Sequence, residues 1–255
     1  RDLHSFPTRR SSDLNAEIAL YLALVTRYSQ IGVPIPLVRR WLTGRWTSEV
    51  FDRSLDDELR DILGVDLRHL VVAEADQLRL LHPRIAETVL IEILGDGDRQ
   101  RWKARLTDAA TELIDQVSTH LGPDDQQART LLADLFVRRR GWDDDDPQQR
   151  GRNFAELILE MPAVESAHRV LLHLTEQSPN EPHFWNHLGR YLIYELRTDY
   201  AKAEEYLQLA IDLSEGRDPT HFHTLGMVRR FWIEASLRQM TQSGSAQRSD
   251  RKSVV

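Results

Sequence analysis

From Ala16 to Gly95 the apolar residues fall mostly at helical spacing, with one stretch that alternates instead. In Ala16–Tyr28, Ile18, Leu22 and Val25 form a stripe beside Tyr21 and Leu24, the pattern of a helix with one face on a core. Gly32-Val33-Pro34-Ile35-Pro36 stops that helix. Two prolines so close cannot both lie in a helix interior, but Pro36 fits the first turn of a second helix, Leu37–Leu42. A third is expected from Ser48, as N-cap, through Ile62, with Phe51, Leu55, Leu59 and Ile62 inside. Leu70–Leu81 breaks the period. Leu70-Val71-Val72-Ala73 favours a strand, Glu74–Gln77 makes a polar turn, and Leu78 and Leu80 alternate around Arg79, which together predict a hairpin. Pro83, behind His82, then opens an amphipathic helix with Ile85, Val89 and Ile93 on its inner face, ended by Gly95.

Past this region, 98–121 predicts one long helix around Trp102, Leu106, Leu113, Ile114 and Val117, and Gly122-Pro123 separates it from another at 124–139. These make a helical connector over 98–140. Gly141–Pro147 holds four consecutive aspartates. It fails as a calcium loop because Pro147 takes the next ligand position and the loop glycine is missing, so it is expected to be a solvated connector.

The segment 152–240 repeats itself. Trp185-x-x-Leu188-Gly189 returns as Phe222-x-x-Leu225-Gly226, 37 residues on. Ala167, Leu171 and Leu174 share their spacing with Ala203, Leu207 and Ala210, and Pro179 stands six residues before Trp185. This resembles the tetratricopeptide repeat, a helical hairpin of about 34 residues whose large positions pack on small ones. Gly189 is then the small residue that lets two helices approach, and a bulky side chain there should separate them. Two extra residues between Gly189 and Ala203, and Leu192 where the pattern has Tyr, predict a lengthened bend at Glu195–Tyr200. An earlier repeat, at about 152–180, keeps only Ala155 as its small residue.

Net charge refines the picture. Back-translated, Arg1–Leu14 (RDLHSFPTRRSSDL) matches a common short-read sequencing adapter in frame, and DRKSVV with a stop codon matches the reverse complement of part of it. Residues 1–14 and 250–255 are therefore expected to be adapter-derived, with 1–14 and the tail 241–255 disordered and the gene continuing on both sides. Each end carries +1, so residues 15–249 carry −9 against −7 for the whole chain. An acidic chain without a basic run disfavours nucleic acid or anionic membrane as principal partner. The absence of cysteine removes disulfides and thiolate metal sites and fits a reducing cytoplasm.

Catalytic motifs are missing too: no G-x-x-x-x-G-K-[ST], H-E-x-x-H or G-x-S-x-G occurs, so no enzymatic activity is expected within these residues. His183, His187, His221 and His223 cluster around two successive repeat helices. Groove or packing roles are expected for them, and no metal is assigned.

Helix, helix, helix, hairpin, helix is the order of a winged-helix domain over 16–95. The expected fold class is thus mainly α: a winged-helix domain with one small hairpin, followed by an α-solenoid of tetratricopeptide-like hairpins. That combination resembles the region C-terminal to the ATPase core of STAND proteins, the signal-transduction ATPases with numerous domains. Leu20–Leu42 is similar to the opening helices of the family's winged helix. Leu80-Leu81-His82-Pro83 is similar to its Met-His-Asp element, although Pro83 stands in place of Asp. His82-Pro83-Arg84-Ile85-Ala86-Glu87 is also similar to the HPxIAxE segment of the sterile-alpha-motif-linked and bacterial antiviral branches. The resemblance implies that His82 senses the β-phosphate of ADP, with ADP or ATP held by an upstream module and no cofactor bound by this fragment alone. It implies a protein ligand for the repeats, in antiviral or stress signalling, with oligomerisation in the parent protein. His183, Asn186, Arg190 and Tyr194 are spaced to line the concave face that would take that ligand. Two other readings stand beside this one. A DNA-binding regulator is disfavoured by Glu49, Asp52, Asp56, Asp57, Glu58 and Asp61 on the expected recognition helix. A plain repeat scaffold would need no nucleotide.

Overall fold

The computed structural model describes residues 9–43, 69–98, 101–138 and 154–252, with side chains described for 16–41, 69–98, 101–138 and 154–241. The chain is mainly helical with one small antiparallel sheet, and it divides into two compact units, Arg1–Ser178 and Pro179–Val255. The expected helix Ser48–Ile62, which includes the recognition-helix acids, and the aspartate connector Gly141–Pro147 lie outside the described residues.

In the first unit, α1 (Arg9–Tyr28) starts earlier than expected. No proline or glycine interrupts Arg9–Asn15, so nothing local stops the backbone ladder from continuing toward the N-terminus. The segment expected to be without structure is therefore helical from Arg9. Every residue from Ile18 to Val25 is buried, not one stripe alone. The run Ile-Ala-Leu-Tyr-Leu-Ala-Leu-Val is apolar all round, which suits a helix enclosed by its unit. It packs against α3 (Pro83–Gly95) and the strand β3 (Gln77–Leu80).

Just before the second helix, Val33–Pro34 forms a short strand β1 that the sequence pattern did not reveal. It pairs with β3, as does β2 (Val71–Glu74), giving the order β1-β3-β2. Pro34 is tolerated because β1 is an edge strand. Gly32 allows the pairing: a Cβ there would lie 2.7 Å from the Leu78 carbonyl oxygen. The expected hairpin is present, with Val71 opposite Leu80 and Glu74 opposite Gln77. α2 (Ile35–Thr43) carries Pro36 in its first turn, as expected.

α3 buries Ala86, Leu90 and Leu94, while Ile85, Val89 and Ile93 are half-buried. The inner face is thus one residue out of register from the predicted one. The expected helix 98–121 begins with a 3₁₀ turn, Trp102–Arg105, followed by α4 (Leu106–Leu121). α5 (Gln126–Phe136) follows, capped by the Asp125 carboxylate, which accepts from the backbone N–H groups of Gln127 and Ala128. α6 (Glu156–Leu159) is only four residues long, because Pro162 disfavours helical backbone at Met161. α7 (Val164–Gln177) packs on α4, so the division at Ser178 falls inside the region expected to be repeats.

The second unit holds α8 (Pro182–Tyr191), α9 (Tyr200–Leu213) and α10 (Pro219–Lys252). α8 and α9 form a hairpin, and α10 packs back on α9. Before the expected bend the chain forms a π-helical turn, Leu192–Leu196, closed by the Arg197 N–H on the Leu192 carbonyl at 2.7 Å. Arg197 then takes a left-handed conformation and ends the helix. The core comprises Leu192, Ile193, Ala203, Leu207, Ile211, Leu225 and Val228. α10 continues to Lys252 through the tail expected to be disordered, since no proline follows Pro219.

Candidate functional site

His82 ends the hairpin and starts α3. Its backbone is extended, and its Nδ1 accepts from the Arg84 N–H at 3.1 Å, so it is the N-cap of α3. This has a chemical consequence. With Nδ1 used as acceptor, a neutral ring carries its proton on Nε2, which leaves an N–H donor on an exposed side chain beside a helix N-terminus. The capping role and the expected anion-sensing role use different nitrogens of one ring.

The residues of the repeated pattern differ in burial. Ala167, Leu188, Ala203 and Ala210 are fully buried, and Leu225 is nearly so. Gly189 lies where a Cβ would meet Leu207 Cγ at 3.0 Å and the Ala203 carbonyl oxygen at 3.3 Å, so α8 and α9 approach through it. Trp185 is half-buried. Its indole N–H donates to the exposed Pro179 carbonyl at 2.8 Å, and its ring lies 5.5 Å from that of Tyr206.

At the second copy of the motif the packing role is lost. Phe222 is 50% exposed, and a Cβ on Gly226 would meet nothing within 4 Å. Leu225 and Val228 are the residues that α10 turns into the core, so Phe222 and Gly226 lie off its inner face. Farther along α10, Trp232, Ile233, Leu237 and Met240 form an exposed apolar strip.

The four groove candidates do not make one open face. Asn186 is buried, and its Oδ1 has no hydrogen-bond partner among the described residues. Arg190 is half-buried, and burial lowers its pKa, with Tyr194 opposing. Tyr194 sits on the π turn with its ring edge-on to Phe231, 5.4 Å away, and burial raises its pKa. His183 instead lies beside Asp218 and His221. His183, Asn186 and Arg190 stand on α8 and only Tyr194 on the π turn, so the π turn alters the direction of Tyr194 alone.

The four histidines likewise separate into distinct environments. His187 is buried, and its pKa is pushed down to about 3, first by burial and then by the Arg190 charge. His223 is exposed, whereas His183 and His221 face each other across 5.4 Å. Asp218, which completes their group, carried no sequence signal beyond standing before Pro219 as a helix cap.

A set of polar ties in the first unit was also invisible to spacing. Arg27 bridges Glu156 at 2.7 Å and Glu160 at 3.1 Å, and Tyr28 donates its hydroxyl to Glu160 at 2.9 Å. The Ser29 hydroxyl and the Gln30 N–H both donate to the buried Asp134 carboxylate, at 2.5 and 2.7 Å. The C-terminal end of α1 is thereby held to α5 and α6. Thr26 adds a buried acceptor for the Leu80 N–H at 2.8 Å.

No protein-family model matches the chain, and neither the curated proteins nor the solved structures yield a match. Among the described residues no helix is long and apolar enough to cross a membrane.

Proposed function

We propose that the chain is the regulatory and sensor region of a STAND-type signal-transduction ATPase. In this reading residues 16–95 form a winged-helix unit that controls an upstream nucleotide module, and the helical hairpins that follow bind a protein ligand. ADP or ATP is held by the upstream module, and catalysis belongs to that module. The setting is cytoplasmic signalling, antiviral or stress-related.

The observation that carries the proposal is His82. It joins β3 to α3 with its Nδ1 engaged and its Nε2–H available, at a helix N-terminus whose dipole favours an anion. The arrangement of α1, α2 and α3 around a β1-β3-β2 sheet supports the winged-helix part. The Gly189 approach of α8 and α9 supports the repeat part, and the exposed strip on α10 supports a protein ligand. A switch of this kind works only if the ligand binds the open state more tightly than the ADP-held state.

The test is ADP affinity in the protein extended to include the upstream module. His82→Asn keeps an N-cap side chain and removes the ring donor. Loss of a hydrogen bond to a charged phosphate should weaken ADP by about tenfold or more. Unchanged affinity in His82→Asn would remove the sensor role.

A further inference from the structure

We propose that His183, Asp218 and His221 form a binding site for a zinc-class divalent metal ion, which clamps the start of α8 to the start of α10. The inference is independent of the nucleotide reading. It rests on how these three side chains are held, all of them within the second unit.

His221 is 0% exposed, although it stands in the first turn of α10. Its Nδ1 lies 3.1 Å from the Ser214 hydroxyl oxygen. That hydroxyl has one hydrogen to give, to the Ile211 carbonyl at 3.0 Å or to the ring. In the tautomer where it bonds Ile211, the ring donates through Nδ1–H and Nε2 carries a lone pair. It is buried, has no hydrogen-bond partner, and lies 3.6 Å from Asp218 Oδ2.

Asp218 is fixed in the same way. Its Oδ1 accepts from the Thr220 N–H at 2.8 Å and caps α10, which leaves Oδ2 for the cluster. His183 Nδ1 approaches the same Oδ2 at 3.8 Å, and all three ligand atoms lie within 4.8 Å of one another.

In that tautomer the Nε2 lone pair faces a carboxylate oxygen, an arrangement that a cation between them would make favourable. Tetrahedral zinc with bonds of about 2.1 Å sets its ligand atoms about 3.4 Å apart, close to the separations from Asp218 here. Two imidazoles and a carboxylate suit zinc better than calcium or magnesium, which prefer oxygen ligands. A ring nitrogen that donates to a fixed acceptor, as Nδ1 of His221 does to Ser214 in that tautomer, is the usual support of a metal-bound histidine. His183 is 58% exposed, so solvent supplies the fourth ligand.

Titration of the full chain with Co²⁺, followed by its visible absorption and by displacement with Zn²⁺, tests the site. The expected result is one Co²⁺ per chain, with affinity falling more than about tenfold in His183→Gln and Asp218→Asn and unchanged in His223→Gln. Zn²⁺ should also raise the melting temperature of the wild type and not that of His183→Gln. Asn at 218 keeps the cap, and should that variant still fail to fold, the exposed His183 decides the question alone. Absence of Co²⁺ binding, or equal binding by His183→Gln, would overturn the proposal.

Discussion

The two units of this chain are held together by different kinds of interaction. The second is held by neighbours: α8 meets α9 through Gly189, the π turn joins them, and Leu225 and Val228 of α10 close the core. In the first, polar ties also join distant parts of the sequence. Ser29 and Gln30 reach Asp134 across about a hundred residues, and Arg27 reaches Glu156 and Glu160 from farther still. Locally specified packing leaves a repeat in the sequence, whereas distant polar ties leave none.

Three changes probe that contrast, in order of expected effect. Gly189→Leu forces a branched side chain against Leu207 and the Ala203 carbonyl, and should destabilise the second unit by about 3 kcal/mol. A urea midpoint equal to that of the wild type would mean that α8 and α9 do not depend on close approach. Asp134→Ala leaves the Ser29 hydroxyl and the Gln30 N–H without their acceptor, at a cost of about 2 kcal/mol to the first unit. Denaturant unfolding of that variant should retain the transition of the second unit.

The third change is one of pH. Below about 6.5 the unfolded chain protonates His187, while the folded chain resists until about 3. The unfolded state then binds more protons, so this histidine's contribution is complete above 6.5 and is lost as pH falls toward 3. The slope is at most about 1.4 kcal/mol per pH unit. Comparing midpoints at pH 7 and pH 5 in the wild type and in His187→Phe isolates that share. An identical pH dependence in both proteins would show that the ring is not kept neutral by burial.

Legibility in the sequence follows the same division. The hairpin at Leu70–Leu81, the prolines at helix starts and the Gly189 contact were readable because each depends on a few adjacent residues or one repeated pattern. The strand Val33–Pro34 was not, since two residues, one of them a proline, carry no period and are strand only because β3 lies beside them. The inner face of α3 was misplaced by one residue because Ile85, Val89 and Ile93 and the adjacent Ala86, Leu90 and Leu94 are both apolar rows at helical spacing, and spacing alone does not choose between them. At Phe222 and Gly226 the motif recurs, but Phe222 is half exposed and a Cβ on Gly226 would meet nothing within 4 Å among the described residues. Of the proposed metal ligands, the histidines were visible but Asp218 was not. Its chemistry comes from having one oxygen committed to a cap and the other free.

Native-state hydrogen exchange on Gly189→Leu and Asp134→Ala, read amide by amide, tests the central contrast most directly. The account predicts that Gly189→Leu loses protection in α8, α9 and the first half of α10 and leaves α1, β3 and α3 unchanged. Asp134→Ala should show the reverse. Equal loss of protection in both units from either substitution would contradict it.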